Sequence, residues 1–197
     1  MAANPKKRYT EAEYLAMEAE SDIKHEYHAG DIVAMTGASY NHIRVTSALI
    51  RTLEDHLDGT SCEVYPGEMR VRVAATQRYF YPDCSVVCDP PELHEDKTAT
   101  LLNPILVIEV LSDSTEGYDR GEKFRHYRQM PSLQDYVLIA QDKPLVDRYS
   151  RGIDGSWILT DVFGLDASIA LPSIGCTLAL ADVYKRVKFD DDDTTQE

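Results

Sequence analysis

Three acidic residues stand in stretches of sequence that otherwise read as buried. Glu109 interrupts an apolar run, 105–108 followed by Val110 and Leu111, that would be shielded on both faces of a sheet. Asp83 follows Pro82 at the head of the apolar stretch CSVVC, and Glu26 lies beside Tyr27 in the extended segment HEYHAGDIVAM. A carboxylate in such a place is costly unless it is paired, hydrogen-bonded or bound to a metal. If the three segments are neighbours, their acids converge into an all-oxygen donor set, which suits a hard cation such as Mg2+ or Mn2+. The spacing alone also admits simpler readings, with Asp83 as a turn or cap residue after proline and Glu109 paired with a structural arginine.

Other chemistries find less support. The four cysteines, Cys62, Cys84, Cys88 and Cys176, match no zinc spacing and suggest no disulfide framework. They read as small buried hydrophobes in a reducing compartment, with Cys84 and Cys88 on one strand face. No nucleophile elbow and no glycine-rich phosphate loop is present. His42, near the start of a long helix, could approach a phosphate, but it reads first as a capping or core residue and stays outside the candidate set.

The elements that must position these acids follow from periodicity. Thr10 with Glu13 forms a capping box for a short helix in YTEAEYLAMEAES. Ala29-Gly30-Asp31 marks a hairpin, and Ile43, Thr46, Ile50, Leu53 and Leu57 fall at helical spacing in a long amphipathic helix. CEVYP and EMRVRVA read as strands split by Pro66-Gly67, YPDCSVVC as another stopped by Pro90-Pro91, and PPELHEDKTATLLN as a loop. The Glu109 strand follows, then a helix over EGYDRGEKFRHYRQM capped from 112–114. DYVLIA and LVDRYSR form a hairpin, GSWILTDVF and SIALPSIG are further strands, and LALADVYKRV is a closing helix. This order predicts an α+β domain of mixed type around one central sheet.

The chain of 197 residues has the length of a single domain, assigned to 1–188. The segment 189–197, FDDDDTTQE, reads as a disordered acidic tail. No apolar run approaches a membrane span and no apolar stretch follows the basic N-terminus, so a cytoplasmic, membrane-free protein is expected. The net charge of −14 argues against strong non-specific nucleic-acid binding, and removing the tail leaves the chain acidic. Basic residues do cluster locally: Arg70 and Arg72 share a strand face, and Arg120, Lys123, Arg125 and Arg128 crowd one helix. Solvated surface is the plain reading of each.

YPD before one apolar strand and LVIEVLS within another look like the two acidic halves of the PD-(D/E)XK nuclease signature. HEYHAGDIVAMTGAS, YPDCSVV, NPILVIEVLSDST and YDRGEKFRHYRQMPSLQDYVLI, in that order between about Tyr9 and Tyr184, together resemble the restriction-endonuclease-like family often called Uma two. The resemblance implies a restriction-endonuclease-like core, a central mixed β-sheet flanked by helices, with a divalent-metal phosphodiesterase site. On it, Asp83 matches the first acid, Glu109 the second and Glu26 an additional upstream acid.

One position departs from the signature. A lysine is expected two residues after the second acid, where this chain has Leu111. The resemblance implies that Lys123, in DRGEKF, supplies the amine from the following helix, whereas spacing alone allows a surface i, i+4 pair with Asp119. The function so implied is a Mg2+- or Mn2+-dependent phosphodiesterase, a DNA endonuclease. Asp83, Glu109 and the Val110 carbonyl would hold the metal, Glu26 a second metal or a water, and Lys123 would orient the attacking water. A homodimer is expected, because cutting both strands takes two sites. The rival from another class is a catalytically silent nuclease-fold module that binds nucleic acid or a protein partner, which the acidic surface favours. A third reading keeps the same acids for an RNA or nucleotide substrate.

Overall fold

The capping box forms as spelled. The Thr10 side chain accepts the Glu13 N–H, and the Glu13 carboxylate accepts the Thr10 N–H, opening α1 (Glu11–Glu18). The computed structural model describes residues 7–95 and 99–189. The tail 190–197 lies outside them, but Phe189, assigned to that tail by sequence, packs edge-on against Tyr184 at the core margin.

The strands divide between two main sheets. A six-stranded mixed sheet runs β11 (Trp157–Phe163), β10 (Leu145–Arg151), β9 (Asp135–Ala140), β8 (Leu106–Leu111), β6 (Cys84–Val87) and β3 (Glu63–Pro66), with β8 and β9 parallel and the other pairs antiparallel. This is the expected central sheet. The remaining early strands separate from it into a five-stranded sheet ordered β2 (Asp31–Ala34), β1 (His25–His28), β5 (Arg78–Phe80), β4 (Arg70–Val73) and β7 (Thr100–Leu101). The short β7 forms inside the stretch expected to be loop, pairing in parallel with β4. A two-stranded hairpin, β12 (Ser168–Leu171) with β13 (Cys176–Ala179), stands apart. The stretch read as one strand, SIALPSIG, instead breaks at Pro172 into a 3-10 turn ending on Gly175 at φ +63°.

The helix α2 (Tyr40–Leu57) covers one face of the large sheet. Its buried stripe is Val45, Leu49, Thr52, Leu53 and Leu57, so the expected stripe is rotated: Ile43 is exposed. The 3.6-residue period of buried positions starts from Val45, one turn after the Ser39 cap. The same core takes Leu106, Ile108 and Val110 of β8, Val137 and Ile139 of β9, and residues from β12, β13 and α5 (Leu180–Val183). Each such side chain contributes about 1.5–3 kcal/mol by leaving water. The closing helix is thus a single turn, since Leu178 is already claimed by β13.

The other face of the large sheet meets the small sheet and the helical segment 116–127. That segment is not a uniform helix. Between α3 (Glu116–Tyr118) and α4 (Phe124–Tyr127), residues Asp119–Lys123 form a π-helical turn. Its N-cap, Thr115, makes no side-chain capping bond, so the capping role expected of 112–114 is not taken up. Among the described residues no helix is long and apolar enough to cross a membrane.

The cysteine reading needs correcting. Cys62 and Cys88 form a disulfide, because β3 and β6 pair antiparallel with Glu63 opposite Val87, and the next step outward sets the two cysteines face to face, with Cα atoms 3.8 Å apart. Cys84 and Cys176 are buried free thiols. Alkylation of the air-oxidised protein, denatured without reductant, followed by mass spectrometry should therefore label two cysteines, and four after reduction. Four labels without reduction would show that the bond does not form.

Candidate active site

Strand alternation aims Glu109 between the two sheets. The even-numbered side chains of β8 lie under α2, whereas Val107 and Leu111 join the core on the opposite face. Glu109 lies between those two and points the same way. There Lys123 Nζ sits 2.7 Å from Glu109 Oε1, 3.4 Å from Glu26 Oε1 and 3.5 Å from Asp119 Oδ1. All four side chains are almost wholly buried. The pair with Asp119 that spacing allowed does form, but inside the protein rather than on its surface.

Each partner is placed by its own element. The π-helical turn carries Asp119 and Lys123 inward together, and Lys123 Nζ lies 5.6 Å from the Phe80 ring centre. Unusual helical turns of this kind often serve functional positions. Glu26 comes from β1, which is anchored by Tyr27 on its opposite face. Tyr27 stacks on Tyr14 at 5.1 Å, meets Tyr79 edge-on and donates its hydroxyl to the Tyr9 carbonyl. Glu26 and His28 share the other face, with His28 Nε2 3.0 Å from Glu26 Oε2. Leu111, at the position where the signature has lysine, faces the same side as Glu109 but is packed in the apolar core with Val107, Leu138 and Tyr127.

Asp83 reaches the centre through the β6–β8 ladder. Cys84 is opposite Ile108, so one step further sets Asp83 opposite Glu109. Its Oδ2 accepts the Val110 N–H at 2.7 Å and its Oδ1 lies 2.8 Å from His42 Nε2. His42, in the first turn of α2, thus holds an acid of the cluster. The Val110 peptide contacts Asp83 through its N–H.

The charges are unevenly matched. Burial disfavours an ammonium at Lys123, but Glu109, Glu26, Tyr127 and Asp119 together outweigh it and lift its pKa well above the ordinary value. Burial drives Glu109 well above the usual carboxylate range; Lys123 opposes this, while Asp119 and Asp83 add to it. At Glu26 burial also pulls upward, yet Lys123 and His28 prevail and hold the acid below its ordinary value. Asp119 is raised by burial, which Lys123 only partly offsets. One ammonium faces more carboxylate than it can neutralise.

That excess fits a hard divalent cation, as does the all-oxygen donor chemistry of Asp83, Glu109 and Glu26. Among the described residues no group of three or more His, Cys, Asp or Glu side chains is already arranged as a metal cage. Mg2+ does not require one, because it commonly binds through one or two carboxylates and completes its shell with water and substrate oxygens.

Sequence reasoning missed several participants. Asp119 was visible only as a pairing option for Lys123, and His28 and Tyr127, although inside the segments HEYHAGDIVAM and YDRGEKFRHYRQM, were assigned no role. The Tyr127 hydroxyl is buried beside Glu109 and Lys123 with no hydrogen-bond partner among the described residues. The expected basic faces, conversely, are engaged elsewhere. Arg70 is fully buried among Tyr14, Tyr79 and Tyr81, and Arg72 pairs with Glu11. Arg120 is held by Glu116 and Asp147, which leaves Arg125 and Arg128 in solvent.

Comparison with known proteins agrees with the fold. Residues 11–181 match the profile of the Uma2 family, described as "Putative restriction endonuclease". Two uncharacterized proteins of Synechocystis sp. are similar: slr1290 is 40% identical over 90% of this chain and 92% of its own length. The second, sll1609, is 38% identical over 81% and 90%. Among solved structures, "a putative nuclease belonging to DUF820 from Anabaena variabilis ATCC 29413" superimposes with a TM-score of 0.71 at 19% identity, covering 88% of this chain and 96% of that one.

Burial of the Lys123 cluster sets the scale of a first test. Lys123→Met should destabilise the fold at pH 8 by about 3–5 kcal/mol, because Glu109 and Glu26 lose their shared counter-charge. Without the ammonium both acids titrate higher in the folded than in the unfolded chain, so the stability they permit is present at low pH and is lost as pH rises. The deficit relative to wild type should therefore shrink between pH 8 and pH 5, as measured by urea unfolding. A deficit under about 1 kcal/mol at both pH values is what an exposed pair would give, and would contradict the buried arrangement.

Proposed function

The chain belongs to the Uma2 family, and from that membership and the geometry of its buried centre we propose that it is a divalent-metal-dependent phosphodiesterase, a DNA endonuclease of the PD-(D/E)XK type. The single observation that carries the reading is the meeting of Glu26, Glu109 and Lys123 at one point, with Asp83 opposite Glu109 across the ladder. Asp83 and Glu109, with the Val110 carbonyl, would hold Mg2+ or Mn2+. The ion, when bound, would act as a Lewis acid on the phosphoryl group and lower the pKa of water.

The chain's own residues have definite tasks in this reaction. Lys123, kept protonated, cannot act as a base. It donates hydrogen bonds to the attacking water and to a non-bridging phosphate oxygen, where negative charge grows as the water oxygen adds and the ester oxygen leaves. Glu26, kept ionised, accepts a hydrogen bond from that water and orients it; the proton the water loses passes to solvent, and solvent protonates the departing ester oxygen. His42 and the Val110 N–H hold Asp83 in place. Compact ammonium geometry matters here, so arginine at 123 would be a poor substitute. The working form we propose is a cytoplasmic homodimer, since breaking both strands of a duplex takes two centres; in a reducing cytoplasm the Cys62–Cys88 bond would be open.

A second reading has its own support. Because Lys123 pairs with the buried Glu109 at 2.7 Å, the fold can hold that residue in place without a metal, as a catalytically silent module would require. Metal titration separates the two. Mn2+ should raise the melting temperature of wild type with the saturation expected of a binding equilibrium, and Asp83→Asn should shift the apparent Kd upward at least about tenfold. Wild type with no response to millimolar Mn2+ would favour the silent module.

Turnover gives the complementary measurement. Lys123→Met should retain a Mn2+-dependent shift in melting temperature yet lose roughly 10²–10⁴ in cleavage rate of a DNA substrate, the range for losing a positioned proton-transfer or water-orienting group. Wild-type turnover in that variant would remove Lys123 from the mechanism.

A further inference from the structure

Several buried polar atoms without partners among the described residues lie beside the centre just described. Arg78 Nε, the Tyr118 hydroxyl and both ring nitrogens of His126 are shielded from solvent and make no hydrogen bond. A buried donor left unsatisfied is destabilising, so such a group of them calls for a partner.

These residues form a continuous shelf leading away from Lys123. His28, bonded to Glu26, stacks on the Tyr118 ring at 5.8 Å and stands opposite Arg78 in the β1–β5 ladder. Phe80 lies under both ends, 5.6 Å from Lys123 Nζ and 6.2 Å from the His126 ring. The nearest counter-charge is Glu122, whose Oε1 is 3.5 Å from Arg78 Nη2 and 3.7 Å from His126 Nε2, the latter too far for a hydrogen bond. Glu122 is mostly exposed at 55%, while Arg78 and His126 show only 15% and 16% of their side chains at the rim. The carboxylate can therefore swing away, and the cation stays. Burial and the neighbouring Arg78 hold His126 below its ordinary pKa, which leaves Arg78 as the fixed positive charge of the shelf.

We propose that Arg78, His126 and Tyr118 grip a phosphate of the nucleic-acid strand adjacent to the one handled at Lys123, with Glu122 as a carboxylate that the phosphate displaces. The assignment rests on the phosphodiesterase reading of the centre. Guanidinium and imidazole donors suit a tetrahedral oxyanion, and a nucleic-acid strand brings a further phosphate on either side of the scissile one. A local cation also explains how a chain of net charge −14 would hold a polyanion: binding depends on a few placed contacts rather than on the field of the whole protein.

The test is fluorescence anisotropy of a short labelled DNA strand, without metal, over a series of salt concentrations. Arg78→Ala should weaken binding and reduce the slope of log Kobs against log salt by about 0.7–0.9, the loss of one phosphate contact. Arg78→Lys should keep that slope with lower affinity, and circular dichroism should match wild type for both. Glu122→Gln, at an exposed site that does not endanger folding, should tighten binding by up to about fivefold, because the competing carboxylate is gone. Inorganic phosphate at the strand's concentration should fail to compete, which distinguishes a strand subsite from a free-phosphate site. A wild-type slope in Arg78→Ala, or unchanged affinity in Glu122→Gln, overturns the subsite while leaving the Mn2+ response through Asp83, and so the reading of the centre, untouched. No DNA binding by wild type at the lowest salt overturns the subsite as well.

Discussion

An ammonium buried among carboxylates is the constraint around which this molecule is arranged. Lys123 meets Glu109 from the large sheet, Glu26 from the small sheet and Asp119 from its own helical segment. Three separate parts of the chain therefore share one charge. Removing the cation leaves several buried anions, and removing a single anion leaves the others still paired, so tolerance to mutation is asymmetric. The position of the small sheet against the large one is set by this contact together with the apolar packing of Phe80, Val71 and Leu101 on Tyr127 and Leu138.

A second buried cation secures the far side of the same small sheet. Arg70 is enclosed by the rings of Tyr14, Tyr79 and Tyr81 at 5.2–5.9 Å and donates to Thr100. Around it, Glu18 accepts the Tyr81 hydroxyl and the His25 N–H, and Tyr14 donates to the His25 carbonyl. This network fixes the start of β1 one residue before Glu26. The acid that reaches the centre is thus held from both ends: behind by tyrosine packing and in front by Lys123 and His28. Local order of this kind keeps a charged cluster at short distances.

The excess of carboxylate over ammonium links stability to chemistry. Glu109 sits well above the ordinary acid range because burial and its acidic neighbours exceed what Lys123 can offset. A cluster with surplus negative charge is disposed toward further positive charge, and the strand ladder that pairs Asp83 with Glu109 presents two oxygen donors side by side. Activity sites commonly carry such perturbed groups, because the arrangement that binds and activates is also one that folding alone would not favour.

Much of the local structure could be read directly from the residues. The Thr10–Glu13 capping box, the Ala29-Gly30 turn and the apolar runs of β6, β8 and β9 depend on neighbours a few positions apart, and those interactions are complete within each segment. Glu109 and Asp83 were visible for the same reason, since a charge in an apolar run is a local anomaly. Register and packing between distant segments were not. The split into two sheets, the rotated stripe of α2, the Cys62–Cys88 bond and the π-helical turn that carries Lys123 inward all follow from which surfaces meet. Arg70 and Arg78 illustrate the difference most plainly. Both are single arginines in short strands with ordinary neighbours, yet one is sealed in a tyrosine cage and the other stands beside the catalytic candidate with an unpaired nitrogen. Sequence by itself determined that carboxylates would be buried; only the tertiary structure decided which cation meets them, because the free energy of a buried charge depends on partners that the chain brings together from far apart.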